Sequence, residues 1–145
     1  MIVNYLITNV NAKREKTISS EARIGISNSI NITDVDKDEK FKILKFGFKF
    51  DVTFTGDGSD ELGKIVISGF VVYTGEKIEE IYENWEDAKK RDESVNTEVL
   101  QAGLNISILE AMSVAKMLQL PPILPLPRVS SSGVQDESKH EGKKK

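Results

Sequence analysis

Strict alternation of apolar and polar residues over 44–55 is the feature that most limits how this chain can fold. Apolar side chains occupy every second position there, at Leu44, Phe46, Phe48, Phe50, Val52 and Phe54. A period of two places all six on one face of a β-strand, whereas a helix would distribute them around its circumference. One apolar face with a polar reverse is typical of an antiparallel sheet that is covered on one side.

Three further segments have the composition of strands, at about 2–10, 23–33 and 64–74. The second alternates isoleucine with polar residues. The third is apolar on both faces, which indicates a more covered strand. A polar crossing segment over 11–21 follows the first strand, and turn-forming residues at 34–40 and 55–60 separate the others. The first half of the chain therefore predicts a four-stranded antiparallel sheet.

After Gly75 the spacing of apolar residues changes to that of a helix. A short acidic amphipathic helix is predicted over 76–90, with its apolar positions at Ile78, Ile81, Tyr82 and Trp85. A long helix should follow, with Ser94 as its N-cap, to about Leu118, because the prolines from Pro121 onward cannot continue it. The predicted fold class is therefore α+β.

The long helix is predicted to be apolar on nearly all sides. No residue from Val99 to Leu109 is charged, and only Glu110 and Lys116 are charged before Leu118. A helix that lies on one sheet needs a single apolar stripe, so a second cover is expected, most simply the same helix of another copy. The residues predicted to form this oligomer interface are Val99, Leu100, Leu104, Ile106, Ile108 and Met112.

Proline alternates with large aliphatic residues from Leu120 to Pro127, which forces an extended path. Beyond it, the residues from Ser130 to Lys145 are mainly small, polar or charged and have almost no apolar side chains, so they should be disordered. The sequence thus divides into one domain over 1–129 and a polar tail over 130–145.

The composition offers little for catalysis or for a cofactor. The 145 residues include no cysteine and a single histidine, His140, which lies in the tail. Asp34, Asp36 and Asp38 resemble the start of a calcium loop, but the glycine and the glutamate that such a loop needs at its sixth and twelfth positions are missing. No enzyme activity, catalytic residue, metal or cofactor is therefore predicted.

The charge and hydropathy of the sequence limit which partners and which cellular location are expected for this protein. A net charge of −3 does not favour nucleic acid. No apolar stretch reaches the ~20 residues of a membrane span, and 1–5 does not resemble a signal peptide. A soluble cytoplasmic protein is expected, without membrane insertion.

Three stretches, together with the order of the elements, resemble the SecB export-chaperone family, and its divergent SecB-like members most of all. They are Ile65-Val66-Ile67-Ser68-Gly69-Phe70, Glu110-Ala111-Met112-Ser113-Val114-Ala115-Lys116, and Leu120 through Val129. The resemblance covers about 2–129. It implies a homotetramer, built as a dimer of dimers, with the long helices sandwiched between sheets.

The resemblance also implies an ATP-independent chaperone, a holdase for protein export that binds unfolded polypeptides in apolar grooves. The residues that would line the groove are Met117, Leu118, Leu120, Ile123, Leu124 and Leu126. The alternative is a structural homo-oligomer, or an adaptor dedicated to one partner such as an antitoxin.

The chain departs from the family in two places. Bacterial SecB has a second, amphipathic helix that acts as a lid over the groove, and no apolar periodicity follows Ser130 here. The acidic positions through which bacterial SecB docks SecA cannot be matched in this sequence, and the tail ends in lysines, which makes a partnership with SecA doubtful.

Overall fold

A computed structural model describes residues 1–15, 24–56, 61–121, 128–130 and 133–135. In chain order the elements are β1 (Ile2–Arg14), β2 (Gly25–Asp38), β3 (Ile43–Thr55), β4 (Glu61–Tyr73), α1 (Ile78–Asn84), α2 (Glu93–Met117), β5 (Arg128–Ser130) and β6 (Gly133–Gln135). The predicted α+β class is confirmed, with an antiparallel sheet followed by a short helix and a long one.

The four long strands form one antiparallel sheet with the order β1-β4-β3-β2. β4 lies between β1 and β3, so the backbone of β4 is paired along both of its edges. β1 and β2 are the edges, and each carries irregularities: β1 between Ile2 and Asn4 and between Ile7 and Asn9, and β2 between Ile32 and Asp34.

The alternating side chains of β3 form the centre of the core. All six, from Leu44 to Phe54, are at most 1% exposed. α2 packs on this face of the sheet and approaches it tightly at Gly103, where a Cβ would lie 3.1 Å from Ile30 Cδ1 and 3.3 Å from Phe48 Cγ. α1 covers one end of the same face through Trp85, whose ring meets Phe46 edge-on at 4.7 Å between centroids.

Several predicted boundaries are wrong by a few residues. β1 continues to Arg14 and β2 continues to Asp38. The polar residues at these strand ends still pair with β4 and β3, so each strand is longer than its apolar part. α1 ends at Asn84 rather than Lys90. The N-cap of α2 is Asp92, and the predicted cap, Ser94, donates its backbone N–H to the Asp92 carboxylate at 2.9 Å.

Two short strands lie where the sequence analysis expected the end of the domain and a disordered tail. β5 and β6 pair as an antiparallel hairpin, with Val129 opposite Val134. β5 lies against α2, and β6 lies against β2. The prediction did not anticipate this hairpin, and the rest of the predicted tail falls outside the described residues.

α2 ends in a Schellman motif. Leu120 N–H donates to Ala115 O at 2.8 Å, and Gln119 N–H donates to Lys116 O at 3.1 Å. This geometry requires a residue in the left-handed backbone conformation directly after the helix. Gln119 has that conformation, with φ = 56°. Leu120 and Ala115 are both buried, as the motif's hydrophobic contact requires.

Replacing Gln119 by glycine should stabilise the protein by about 0.5–1 kcal/mol, because glycine adopts a positive φ without a steric cost. Urea unfolding followed by the fluorescence of the buried Trp85 would measure it, at one fixed protein concentration. The control is Ser113→Gly, which places glycine at an exposed helical position near the end of α2 and should destabilise by a similar amount. Equal destabilisation by both variants would contradict this account of the helix end.

Candidate functional site

Described segments that are far apart in sequence meet at one corner of the molecule, where α2 ends. Arg14, the last residue of β1, donates from Nη1 to the carbonyls of Leu118 and Gln119, each at 2.9 Å. Glu15 N–H donates to Leu62 O at 2.8 Å. We call residues 14–15, 62–63 and 112–121 the exit corner. Its hydrogen bonds fix the direction in which the chain leaves α2 toward the Pro/Leu segment.

The exit corner presents apolar side chains beside polar ones. A shallow groove there is lined by Met112, Ser113, Lys116 and Leu120. Met117 is 77% exposed at the last turn of α2, and Leu118 is half-buried against the core. The unbranched, flexible side chain of methionine can adapt to apolar side chains of different shapes.

The structure separates the predicted groove residues. Met117 and Leu118 lie at the surface of the exit corner, but Leu120 belongs to the core of the subunit, 6% exposed, with its methyl groups facing Gly63. The Schellman motif turns this side chain inward, so it lines the groove at the exit corner while it exposes little surface. Ile123, Leu124 and Leu126 lie outside the described residues, so their place in a groove stays a prediction.

The predicted oligomer interface stays a prediction, and the structure divides its residues into two groups. Val99, Leu104 and Ile108 are at most 5% exposed and contact the sheet of their own subunit. Leu100, Ile106 and Met112 are half-buried. The outward side of α2 also carries polar residues, including Asn105 and Ser113.

An apolar surface that the sequence analysis missed lies on the edge strand β1. The exposed side chains there are Val3, Tyr5, Leu6 and Val10, each between 44% and 55% exposed. β1 pairs with β4 on one side, and no strand of the described chain pairs with the other. The signal was available: 1–12 contains no charged residue. An edge strand of this kind is normally protected by charges or covered by a partner.

The opposite edge of the sheet is protected in the usual way. β2 exposes Asp34 and Asp36 along its outer side and is interrupted by a bulge at Ile32/Asp34. Both features discourage a further strand from pairing with it. The sheet therefore has one protected edge and one apolar edge.

A second groove runs between β1 and the N-terminal half of α2. It is lined by Ile2, Glu93, Ser94, Thr97, Glu98, Gln101, Ala102 and Asn105. Within it, Gln101 Nε2 donates to Asn105 Oδ1 at 2.8 Å. The end of this groove near α1 is acidic. Burial raises the pKa of Tyr73 there, and the negative charges of Glu98 and Asp92 raise it further. This groove is open and mixed in character, unlike an enclosed pocket for a small molecule.

The structure offers no metal site in the part of the chain that it describes, since no three His, Cys, Asp or Glu side chains come together there. Asp34, Asp36 and Asp38, considered above as a calcium loop, lie on the extended strand β2. Nor is any helix of the described residues long and apolar enough to cross a membrane.

Leu120→Ala should destabilise the protein by about 2–4 kcal/mol, because it opens a cavity beside Gly63. Met117→Ala, three residues earlier, should change stability by less than about 0.5 kcal/mol, since its side chain is exposed. Urea unfolding of both variants would test whether the exit corner contains one core residue and one surface residue. Comparable losses would show that Met117 is also covered.

No protein-family model matches this sequence, and no curated protein matches it. Among solved structures, the Mycobacterium tuberculosis SecB-like chaperone Rv1957, in complex with a ChAD peptide from the Rv1956 HigA1 antitoxin, is similar to this chain. The two superpose with a TM-score of 0.65 over 85% of this chain and 86% of that one, at 10% sequence identity. The chain therefore has a SecB-like fold.

Proposed function

We propose that this protein is an ATP-independent chaperone that holds unfolded polypeptides against the exit corner of α2. The observation that carries the proposal is an exposed apolar side chain, Met117, beside an open groove at the point where the chain leaves α2 toward its Pro/Leu segment. The SecB-like fold supports it. Neither the groove nor the residues that line it resemble a catalytic centre.

The energetics favour extended clients. Burying one large apolar side chain contributes roughly 1.5–3 kcal/mol before ordering costs, so one shallow contact is weak. An unfolded chain can place several side chains on linked sites at once and gain from avidity, whereas a folded protein hides them. Met117 with Ile123, Leu124 and Leu126 of the Pro/Leu segment would provide such a series.

Self-assembly is part of the proposal. Tyr5 and Val10 pair with Val71 and Ile67, so they lie on the helix side of the sheet, beside the groove along α2. They remain 55% and 44% exposed because α2 does not cover the edge. A second copy that pairs along β1 would bury these side chains and satisfy the edge backbone, and two such dimers would give the homotetramer.

A chaperone dedicated to one partner is the second candidate. The Rv1957 structure contains a peptide from an antitoxin, which favours a single client of that class over many. A panel of unrelated unfolded clients separates the two: a general holdase suppresses the aggregation of most of them, and a dedicated chaperone suppresses that of very few. Export through SecA has no support in this structure.

Met117→Ser combined with Leu124→Ser and Leu126→Ser should weaken the affinity for unfolded clients about tenfold or more, since apolar contacts of roughly 1.5 kcal/mol each are lost. Fluorescence anisotropy of a labelled, permanently unfolded client, without nucleotide, would measure it. The same client in folded form should not bind.

The matched control for this variant is Phe41→Ser. Phe41 is 65% exposed at the β2–β3 turn, at the opposite end of the sheet from the exit corner. The Phe41→Ser variant also replaces an exposed apolar side chain by serine, yet this variant should leave the affinity for unfolded clients unchanged. A triple variant that assembles normally and holds clients as the wild type does would refute the exit-corner site.

Tyr5→Lys with Val10→Lys should dissociate the oligomer, because two charges would be buried without partners at the β1 edge. Light scattering after gel filtration should give about four times the 16.2 kDa chain mass for the wild type and a smaller mass for the variant.

Ser27→Lys with Ser29→Lys is the control, since it adds the same charges to the exposed, polar edge strand β2. This variant should keep the wild-type mass. A wild-type protein that is monomeric at micromolar concentration would end the assembly proposal.

A further inference from the structure

Arg14 connects the two surfaces that the proposed function uses. It is the last residue of β1, the edge strand along which a second copy would pair. Its Nη1 donates to the carbonyls of Leu118 and Gln119, each at 2.9 Å, across 104 and 105 residues of sequence. One side chain therefore joins the assembly edge to the exit corner, where clients would bind.

The carbonyls that Arg14 binds lie where a helix lacks donors of its own. The last carbonyls of an α-helix have no partner within the helix, and they carry the negative end of its dipole. The Schellman motif satisfies Ala115 O and Lys116 O through the amides of Leu120 and Gln119. Arg14 gives a charged donor to carbonyls further along the same turn. The cation thus holds the exit turn from outside the helix.

The end of β1 and the exit of α2 also pack on the same small residue, Gly63. A Cβ there would lie 3.0 Å from Lys13 O and 3.1 Å from Leu120 Cδ2, so a larger residue would push the two apart. Gly63 is also the cross-strand partner of Arg14 on β4. A displacement of the β1 end would therefore disturb both the Arg14 hydrogen bonds and the packing of Leu120.

β1 is held by a neighbouring strand on one side only. It pairs with β4, and no other strand of the described chain pairs with its outer side. The end of an edge strand opens more readily than that of a strand paired on both sides, because part of its backbone has no partner strand. Pairing with a second copy would hold β1 from both sides and would make the Arg14 anchor firmer.

We propose that Arg14 is a positioning residue that couples assembly along β1 to client binding at the exit corner. The inference rests on the proposed function and states how its client site is regulated. In a single subunit the β1 end opens and closes, and each opening releases the turn after α2. In the assembled protein the turn is fixed, Met117 keeps one position, and clients bind more tightly. Because such coupling is reciprocal, bound clients stabilise the assembly by the same factor.

Hydrogen exchange measures the anchor without any client. The amides of Gln119 and Leu120 are bonded within the exit turn, and Arg14→Met removes the outside donor while it keeps a long side chain. These amides should exchange about tenfold faster in Arg14→Met than in the wild type. Arg14→Lys should restore most of the protection, because both bonds come from one nitrogen and an ammonium also offers several N–H donors.

The matched control is Lys13→Met, which removes the same charge from the neighbouring residue. The Lys13 side chain is 59% exposed, and its ion pair with Glu15 lies at the surface, where such pairs contribute little. This variant should leave the exchange of the Gln119 and Leu120 amides unchanged.

Dilution of the wild-type protein tests the link to assembly and needs no variant, so it also decides the matter should Arg14→Met fail to fold. Below the concentration at which the protein assembles, the Gln119 and Leu120 amides should exchange about fivefold faster than above it. Light scattering would give the mass at each concentration.

Client affinity tests the coupling through a double-mutant cycle. The probe is fluorescein-labelled, carboxymethylated lactalbumin, which cannot refold, and its anisotropy measures binding. Arg14→Met should weaken binding about fivefold in the assembled protein, because fewer molecules then have a formed site. In the dissociated Tyr5→Lys with Val10→Lys variant, the same change should weaken binding by about twofold at most, since the turn is already released there.

Normal exchange in Arg14→Met would show that this side chain does not hold the exit turn. Exchange that does not respond to dilution through dissociation would remove the link to assembly, as would a wild type that is monomeric at every concentration. Equal losses of affinity in the assembled and dissociated proteins would make the role of Arg14 purely local. If the wild type binds no client, the proposed function fails, whereas exchange that responds to Arg14→Met and to dilution would still support the coupling of assembly to the exit turn.

Discussion

Packing of the β3 phenylalanines against α2 is the constraint on which the rest of the structure depends. Phe46, Phe48, Phe50 and Phe54 are fully buried because α2 crosses their face, and Gly103 lets the helix come close enough to do so. This contact commits one stripe of α2 to its own sheet. It also fixes the position of the last helical turn, and hence where Arg14 can meet the carbonyls of Leu118 and Gln119.

α2 packs most closely over β4 and β3, and it leaves part of the edge strand β1 uncovered. The exposure of Tyr5 and Val10 is therefore a consequence of the same packing, as is the open groove beside them. The helix side of the sheet thus leaves apolar side chains exposed at the β1 edge only, since the β2 edge is polar and contains a bulge. The proposed self-assembly would complete the fold there, whereas the proposed client site, the exit corner, lies at the end of α2, away from that edge.

The sequence predicted what depends on local periodicity and missed what depends on strand order. Alternation identified β3 and its buried face, and the change of spacing after Gly75 identified the helices. The exposure of β1 was missed because it follows from the placement of β1 beyond β4, which is a non-local pairing, and the lack of charge over 1–12 was its only local signal. The burial of Leu120 was missed for a similar reason: its inward direction is set by the left-handed Gln119, which no apolar pattern reveals.

The outward side of α2 shows how charge and polarity differ as signals. An absence of charge from Val99 to Leu109 suggested burial on all sides, yet Gln101 and Asn105 face outward and bond to each other. Uncharged amides can lie beside a second subunit or a peptide at a smaller desolvation cost than carboxylates or lysines. The outward side of α2 is therefore suited to contacts that form and separate, whereas its inward stripe is permanently packed. That division lets one helix hold the fold together and still present a surface to partners.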